Sequence, residues 1–320
     1  CFLGFAILTK GPVALVIIFS TLFTFSLLHE NWKILFQKIN PLRGIFISFL
    51  ISFPWYIVQF INNGKVFWDN FFGYHNLKRY TSVVNNHSEP WWFFIFIMIL
   101  ASLPFSVFLI HGIIETSKEI IFNLKSKFNQ TGSIYIYSLC WLLSVLLFFS
   151  ISATKLTSYW IPAIPAASIL ITKSTQVLNN KKNISLIWLF TSLILFGFSL
   201  AFYYSDNWLV LLKDPEMPDL ANQIKDYGLI LRAKILFTIS TFISIFLMFR
   251  SFRRSFLFFQ IFLLVGQFSI MMPIRKLADQ LRQEPLRNIS KKIINIRSLQ
   301  EPLAMIGIRK PSLHFYSKQI

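Results

Sequence analysis

Acidic side chains and cysteines are scarce in this chain, and each shortage closes off a class of protein. There are 13 Asp+Glu among 320 residues against 31 Lys+Arg, and only 14% of the chain is charged. Soluble domains ordinarily carry charge on about a quarter of their residues. With 55% hydrophobic and 18% aromatic residues and a mean hydropathy of +0.58, a single water-soluble core of this length cannot bury the apolar surface. The cysteines, Cys1 and Cys140, lie in apolar stretches and offer neither metal-ligand spacing nor a disulfide framework. Tandem repeats and low-complexity stretches are missing too, and the 37 Phe, like the abundant Ile, Asn and Lys, read as genomic bias rather than function.

Long apolar runs are what the chain has instead. Taking about 20 apolar residues as the length that crosses the hydrocarbon layer, the sequence predicts eight spans near 12–28, 43–61, 91–113, 133–152, 158–176, 184–204, 230–249 and 255–273. The formal charge of +18 would suggest nucleic acid in a soluble protein. Here the cations fall between apolar runs, so charge reads as topology and no nucleic-acid partner is expected. Alternating orientation gathers 29–42, 114–132, 173–183 and 250–254 on one side, with Lys33, Lys38, Lys118, Lys125, Lys173, Lys181, Arg250 and Arg253 among their cations. That side is expected to be cytoplasmic. The opposite loops, 62–90 and 205–229, hold Asp69, Glu89, Asp206, Asp214, Glu216, Asp219 and Asp226 and face outward.

The expected class is an all-α polytopic membrane protein with about eight visible spans, followed by the start of a truncated periplasmic α/β domain. The boundary falls near 273, giving a membrane bundle over 1–273 and a second domain beginning at 274–320. In that tail, Leu277, Leu281, Ile289 and Ile293 recur at roughly helical spacing. Leu303-Ala304-Met305-Ile306 and Leu313-His314-Phe315-Tyr316 then form short apolar runs separated by Pro311, read as strands. The chain starts at Cys1 inside an apolar run and ends just after the second of these, so a fragment at both ends is expected. A break at Lys10-Gly11-Pro12 and no charged n-region make a signal peptide a poor fit. Segments 117–128 and Trp32–Phe36 show one-sided apolar patterns and are read as helices in the headgroup layer, with plain connectors as the alternative.

Ionisable groups beside apolar runs are costly, which directs attention to three clusters. In Leu8-Thr9-Lys10-Gly11-Pro12 a cation precedes a helix breaker and a new helix, whose free N–H groups and positive end suit a phosphate or other anion. Simple snorkelling of Lys10 is the competing reading. The outward loop Tyr74-His75-Asn76-Leu77-Lys78-Arg79-Tyr80-Thr81-Ser82, continued by His87-Ser88-Glu89-Pro90-Trp91-Trp92, mixes rings for a sugar face, amide and hydroxyl groups for its hydroxyls, and a guanidinium for phosphate. His75 and His87 are candidates for shaping that pocket or holding a metal, against surface hydrogen bonding as the plainer role. In Ala153-Thr154-Lys155-Leu156-Thr157-Ser158-Tyr159-Trp160-Ile161-Pro162, Lys155 and Tyr159 share a face if the segment is helical, and the prolines free carbonyls that need protein or water beside them. Lys155 as a flank anchor is the alternative. Lys10, on this count, lies at the outward end only if the residues before it are a partial or re-entrant span.

Three strings carry a resemblance: Leu8-Thr9-Lys10-Gly11-Pro12; His75-Asn76-x-x-Arg79-Tyr80-Thr81-Ser82 with His87-Ser88-x-Pro90-Trp91; and Thr154-Lys155-Leu156-x-Ser158-Tyr159-Trp160-x-Pro162. In order and spacing they resemble bacterial membrane glycosyltransferases of the aminoarabinose (lipid A) transferase and protein O-mannosyltransferase superfamily, over about residues 3–273. The resemblance implies a GT-C type helical bundle followed by a periplasmic α/β domain, and an undecaprenyl-phosphate sugar as donor. In the aminoarabinose branch the acceptor is lipid A. By position, Lys10, Arg79 and Tyr159 match residues that surround the donor phosphate in that superfamily. The region of His75 resembles one implicated in binding a divalent metal ion, although Tyr74-His75-Asn76 stands where some relatives have Glu-Glu-His. Catalytic carboxylates are expected upstream of Cys1, and Asp69 and Glu89 are read as surface anchors rather than substitutes.

The expected function is transfer of a sugar, an aminoarabinose-like pentose or a hexose, from a polyprenyl-phosphate donor to lipid A or another periplasmic acceptor. The expected location is the bacterial inner membrane, with membrane lipid around the bundle and the active site facing the periplasm; the fragment alone is expected to be inactive. Lys10, Arg79, Lys155 and Tyr159 are assigned to the departing phosphate. A transporter or flippase for an anionic lipid is the rival, favoured by midplane charge and paired broken helices in two related halves; neither a repeat nor midplane charge is visible in the sequence. A purely structural membrane subunit is the third reading.

Overall fold

The computed structural model of the chain describes residues 1–28, 32–84, 87–122, 130–177, 181–212, 214, 217–249, 252–296, 304–306 and 310–317. Among them there are helices and connectors and no strand. The chain divides into two compact units, Cys1–Lys181 and Lys182–Ile320.

The first unit opens with α1 (Phe2–Lys10) and α2 (Pro12–Leu28), then α3 (Trp32–Ile39) and the long α4 (Pro41–Trp68). Gly11 separates the first pair: its φ of +63° is a conformation that residues with a Cβ avoid. Pro12 then suits the first turn of α2 because it has no N–H to satisfy. The carbonyl of Ile7 accepts the Gly11 N–H at 2.7 Å and the Tyr56 hydroxyl at 2.8 Å, pinning the end of α1 to α4. Gly4 allows the same two helices to touch, since a Cβ there would lie 2.8 Å from Cβ of Ile51. A π-helix over Asp69–Lys78 leads into α5 (Arg79–Thr81).

Next come α6 (Phe93–Ala101) and α7 (Ser106–Phe122), which meet at 116°, then α8 (Gln130–Ile151), a 3-10 helix over Thr157–Ala163, and α9 (Ile164–Val177). Phe94, Leu109, Leu142, Trp160, Ala166 and Leu170 form the centre of this unit's core. Gly112 of α7 lies against α9 so closely that a Cβ would come 2.0 Å from the Leu170 carbonyl oxygen. Polar contacts tie the ends of these helices: Lys173 to Glu119 at 2.6 Å, and the Tyr135 hydroxyl to Gln176 at 2.7 Å.

The second unit holds α10 (Lys181–Tyr203), α11 (Ser205–Leu209), α12 (Leu220–Asp226), α13 (Leu229–Leu247), α14 (Phe252–Gly266), a π-helix over Gln267–Met271, α15 (Met272–Arg282), α16 (Glu284–Ile296) and α17 (Pro311–Tyr316). Hydroxyl pairs bridge α10 and α13, Ser192 to Ser244 at 2.7 Å and Ser199 to Thr238 at 2.8 Å, a use of small polar residues suited to helices in lipid. Lys225 hydrogen-bonds Asp206 and, with its charge, holds that carboxyl below the usual carboxylate range.

Each of the eight expected runs contains helix, but among the described residues five helices are long and apolar enough to cross a membrane, or six if the bent pair counts as one span. The difference lies in interruptions. Pro104 stands in the bend between α6 and α7, where a helix interior does not tolerate it, and α2 and α9 are short. Large apolar side chains stay exposed along the spans, among them Phe46 at 65% and Phe242 at 69%, a surface suited to lipid tails. The chain is a multi-pass membrane protein.

Two local expectations change. Leu313-His314-Phe315-Tyr316 lies in α17, not in a strand, because Pro311 seeds a helical turn and so short an apolar run has no period of its own. Residues 304–306 have no regular structure, and Leu303 lies outside the described residues. Trp32–Phe36 is helical as expected, within α3. Residues 117–122 extend α7, while 123–128 lie outside the described residues.

Candidate functional site

Lys10 is the last residue of α1, and its ammonium stands 5.5 Å from the ring centroid of Tyr159. Tyr159 belongs to the 3-10 helix and stacks on Phe149 of α8 at 4.6 Å. Arg79 begins α5 directly after the π-helix, and its Nε is buried with no hydrogen-bond partner. All three side chains line one cavity of about 630 Å³. His75, Asn76 and Ser152 add polar groups to its wall, while Phe71, Phe72, Phe148 and Phe149 supply the apolar part. Among the described residues the wall holds two permanent cations and no carboxylate, so its field favours an anion.

Phe71 also faces Gly11, where a Cβ would approach its ring to 2.9 Å. The glycine therefore serves both the turn and the close approach of the wall. The Asn76 amide donates to the Phe71 carbonyl at 2.6 Å, keeping the π-helical turn in shape. Val13, in the first turn of α2, lines the same cavity. Lys10 itself lies in the last turn of α1, at that helix's negative end, with the first turn of α2 beginning at Pro12.

A ladder of hydrogen bonds joins the loop after α5 to the segment after α8. The N–H of Ala153 donates to the Tyr80 carbonyl at 2.9 Å, Thr154 to Arg79 at 3.1 Å, and Lys155 to His87 at 3.2 Å. The Thr154 hydroxyl donates to the Ser82 carbonyl at 2.8 Å and accepts the Val84 N–H at 3.0 Å. Two of the three sequence clusters are therefore sewn together, and Arg79 and Tyr159 line the same cavity.

Lys155 and His87 are not in the cavity wall. The 3-10 helix begins at Thr157, after Lys155, so the helical pairing of Lys155 with Tyr159 does not occur. The Lys155 ammonium turns inward and donates to the Ser152 carbonyl at 2.8 Å. His87 is exposed and contributes its carbonyl to the ladder. Sequence reasoning passed over Ser152 and Phe149 as wall residues. Their only signal is position, at or near the end of α8 just before the Thr-Lys string.

His75 lines the cavity, with its ring edge-on to Tyr74 at 5.2 Å. Among the described residues no three of His, Cys, Asp and Glu meet in a group that fits a metal ion. The cations nearest His75 in the wall also oppose a second positive charge. Among the described residues, the donor set around His75 does not fit a metal ion.

A second cavity of about 420 Å³ adjoins the first, sharing Pro12 and Phe72. Its wall is apolar apart from Ser48, Ser52 and the Tyr56 phenol, and it follows α4 through Ile45, Phe49, Phe53, Ile57 and Phe60. Packed rings of Tyr56, Phe67, Phe71 and Phe72 stand where the two meet.

The solved structure of ArnT from Cupriavidus metallidurans bound to undecaprenyl phosphate superposes with a TM-score of 0.74, covering 99% of this chain and 54% of that one at 21% identity. The chain has the fold of ArnT. The apo form of the same protein gives a TM-score of 0.71 at 19% identity, so the GT-C type bundle implied by the sequence strings is present. Among curated relatives, an uncharacterised protein of Aquifex aeolicus (strain VF5) is 29% identical over 201 residues, 62% of this chain and 37% of the relative. The undecaprenyl phosphate-alpha-4-amino-4-deoxy-L-arabinose arabinosyl transferase of Enterobacter sp. (strain 638) is 29% identical over 177 residues, 54% of this chain and 30% of the relative. The chain thus spans roughly a third of the length of the curated relatives it matches. Residues 296–320 match the family described as the C-terminal domain of cyanobacterial RgtA-type glycosyltransferases.

Proposed function

We propose that the protein containing this chain transfers a sugar from a polyprenyl-phosphate donor, and that the cavity of Lys10, Arg79 and Tyr159 holds the donor's phosphate. One observation carries the reading: a cation-lined cavity, with no carboxylate among its described lining residues, lies beside an apolar groove along α4 and shares Pro12 and Phe72 with it. A lipid phosphate matches that pairing, headgroup on the cations and isoprenoid tail in the groove. The curated relatives and the ArnT fold support the same substrate class.

Departure of the phosphate leaves negative charge on its oxygens as the anomeric carbon gains oxocarbenium character. Lys10 and Arg79 stabilise that charge from fixed positions, and the Tyr159 hydroxyl donates a hydrogen bond. Asn76 and Ser152 offer further polar contacts. A base for the acceptor hydroxyl is required. Asp69 and Glu89 are exposed and outside the cavity wall, so neither is assigned as that base.

Lipid A or another periplasmic acceptor, and an inner-membrane location with the site facing the periplasm, complete the reading. The cationic gaps read from the sequence favour this orientation. Residues 274–320 are assigned to the start of a periplasmic C-terminal domain, which the match at 296–320 supports.

The test is sugar transfer from purified undecaprenyl-phosphate-linked sugar by the full-length protein in nanodiscs. Arg79→Ala is expected to lower turnover by about 100-fold or more, the scale of removing one preorganised charge-stabilising donor, while leaving the folded bundle intact by circular dichroism. Wild-type-like turnover in R79A removes Arg79 from the site. A wild-type protein that moves the lipid across the bilayer without transferring sugar is a flippase instead.

A further inference from the structure

Lys155 is a buried cation with little to balance it. It is 8% exposed, its ammonium donates to the Ser152 carbonyl at 2.8 Å, and among the described residues no carboxylate pairs with it. The neighbouring hydroxyls are neutral and bring no counter-charge: Ser152 donates to the Thr154 carbonyl at 2.6 Å and Thr154 to the Ser82 carbonyl at 2.8 Å. Ser152 and Thr154 are themselves 3% and 2% exposed, so water has little access. An ammonium held this way is strongly unfavourable unless an opposite charge faces it. Ser152, whose carbonyl grips that ammonium, is also part of the wall of the cavity of Lys10 and Arg79.

We propose that Lys155 acts on the bound phosphate without touching it, as a fixed charge one residue behind the cavity wall whose missing counter-charge is the anion in the cavity. The inference rests on the cavity binding a lipid phosphate and adds a third cation, inaccessible to solvent. A buried charge is screened less by salt and water than the exposed Lys10 ammonium, so its field persists at physiological ionic strength. Lys155 is thus a positioning residue. It also draws the Ser152 carbonyl inward on the turn whose Ala153 and Thr154 N–H groups hold the backbone of Tyr80 and Arg79.

Binding of undecaprenyl phosphate and of uncharged undecaprenol to the full-length protein in nanodiscs separates these roles. Wild type is expected to prefer the phosphate. Lys155→Met keeps the stem and removes the charge. Affinity for the phosphate should fall about tenfold, from the loss of one unit charge acting at short range in a partly desolvated site, with undecaprenol affinity unchanged. Lys155→Arg should restore most of the preference. If K155M does not fold, Lys155→Gln is read by the same phosphate-to-alcohol ratio. A neutral variant that keeps the wild-type ratio, or that loses both lipids equally, overturns the role of Lys155 alone. A wild type that does not distinguish the two lipids overturns the phosphate reading and this inference together.

Discussion

Lys10, Arg79 and Tyr159 come from segments far apart in the chain and converge because each sits at a break in regular structure. Lys10 ends a helix before Gly-Pro, Arg79 follows a π-helix, and Tyr159 lies in a 3-10 turn between α8 and α9. Breaks of this kind are legible in sequence, since glycine, proline and a cation in an apolar setting each need a local reason. Lys155 was legible as unusual but not in its direction. The expectation that it faces Tyr159 assumed a helix, and the helical turn starts two residues too late. Tyr159 gives the sharpest residue-level test. Tyr159→Phe keeps the ring stacked on Phe149 and beneath Lys10 and removes only the phenolic donor. Turnover should fall about 10- to 100-fold, the range for one hydrogen bond to a charged group, with undecaprenol binding unchanged. Full turnover in Y159F would assign the residue to packing alone.

Helices were the easiest elements to read, because a long apolar run in lipid has to satisfy its own backbone. Every expected span contains helix. Their interruptions and angles were harder. The 116° turn between α6 and α7 has only Pro104 to announce it, and a proline does not state an angle. Contact between α7 and α9 was equally hidden, because Gly112 in an apolar run is unremarkable until the Leu170 carbonyl is seen against it. Gly112→Ala tests that contact. The added methyl meets backbone rather than a flexible side chain, so the helices must separate, at a cost of about 1–3 kcal/mol typical of overpacking. A lower melting temperature in nanodiscs is the expected result, and an unchanged one would mean that the two helices do not approach so closely. The short tail run went the other way, helix in place of strand, because four residues with a leading proline support either.

At the scale of the whole molecule, composition already required a membrane, and the exposed apolar side chains agree. The pairing of two cavities was out of reach of the sequence, since the apolar groove draws on α1, α2, α4 and the π-helix together. Its rim includes Phe49, Phe53, Phe60 and Ile61, exposed along the flank of α4. A detergent alkyl chain fits the same apolar channel. Turnover in maltoside micelles should therefore be several-fold below that in nanodiscs at equal donor, and should recover on reconstitution. Equal rates in both would argue that no tail lies in the groove. A flank opening also changes what saturation means. If the donor is a lipid phosphate, as proposed, it would reach its berth by diffusing sideways within a leaflet, and its mole fraction among neighbouring phospholipids, rather than its molarity in the suspension, would govern occupancy. Diluting the vesicles leaves the rate per enzyme unaltered; diluting the donor with inert phospholipid slows it.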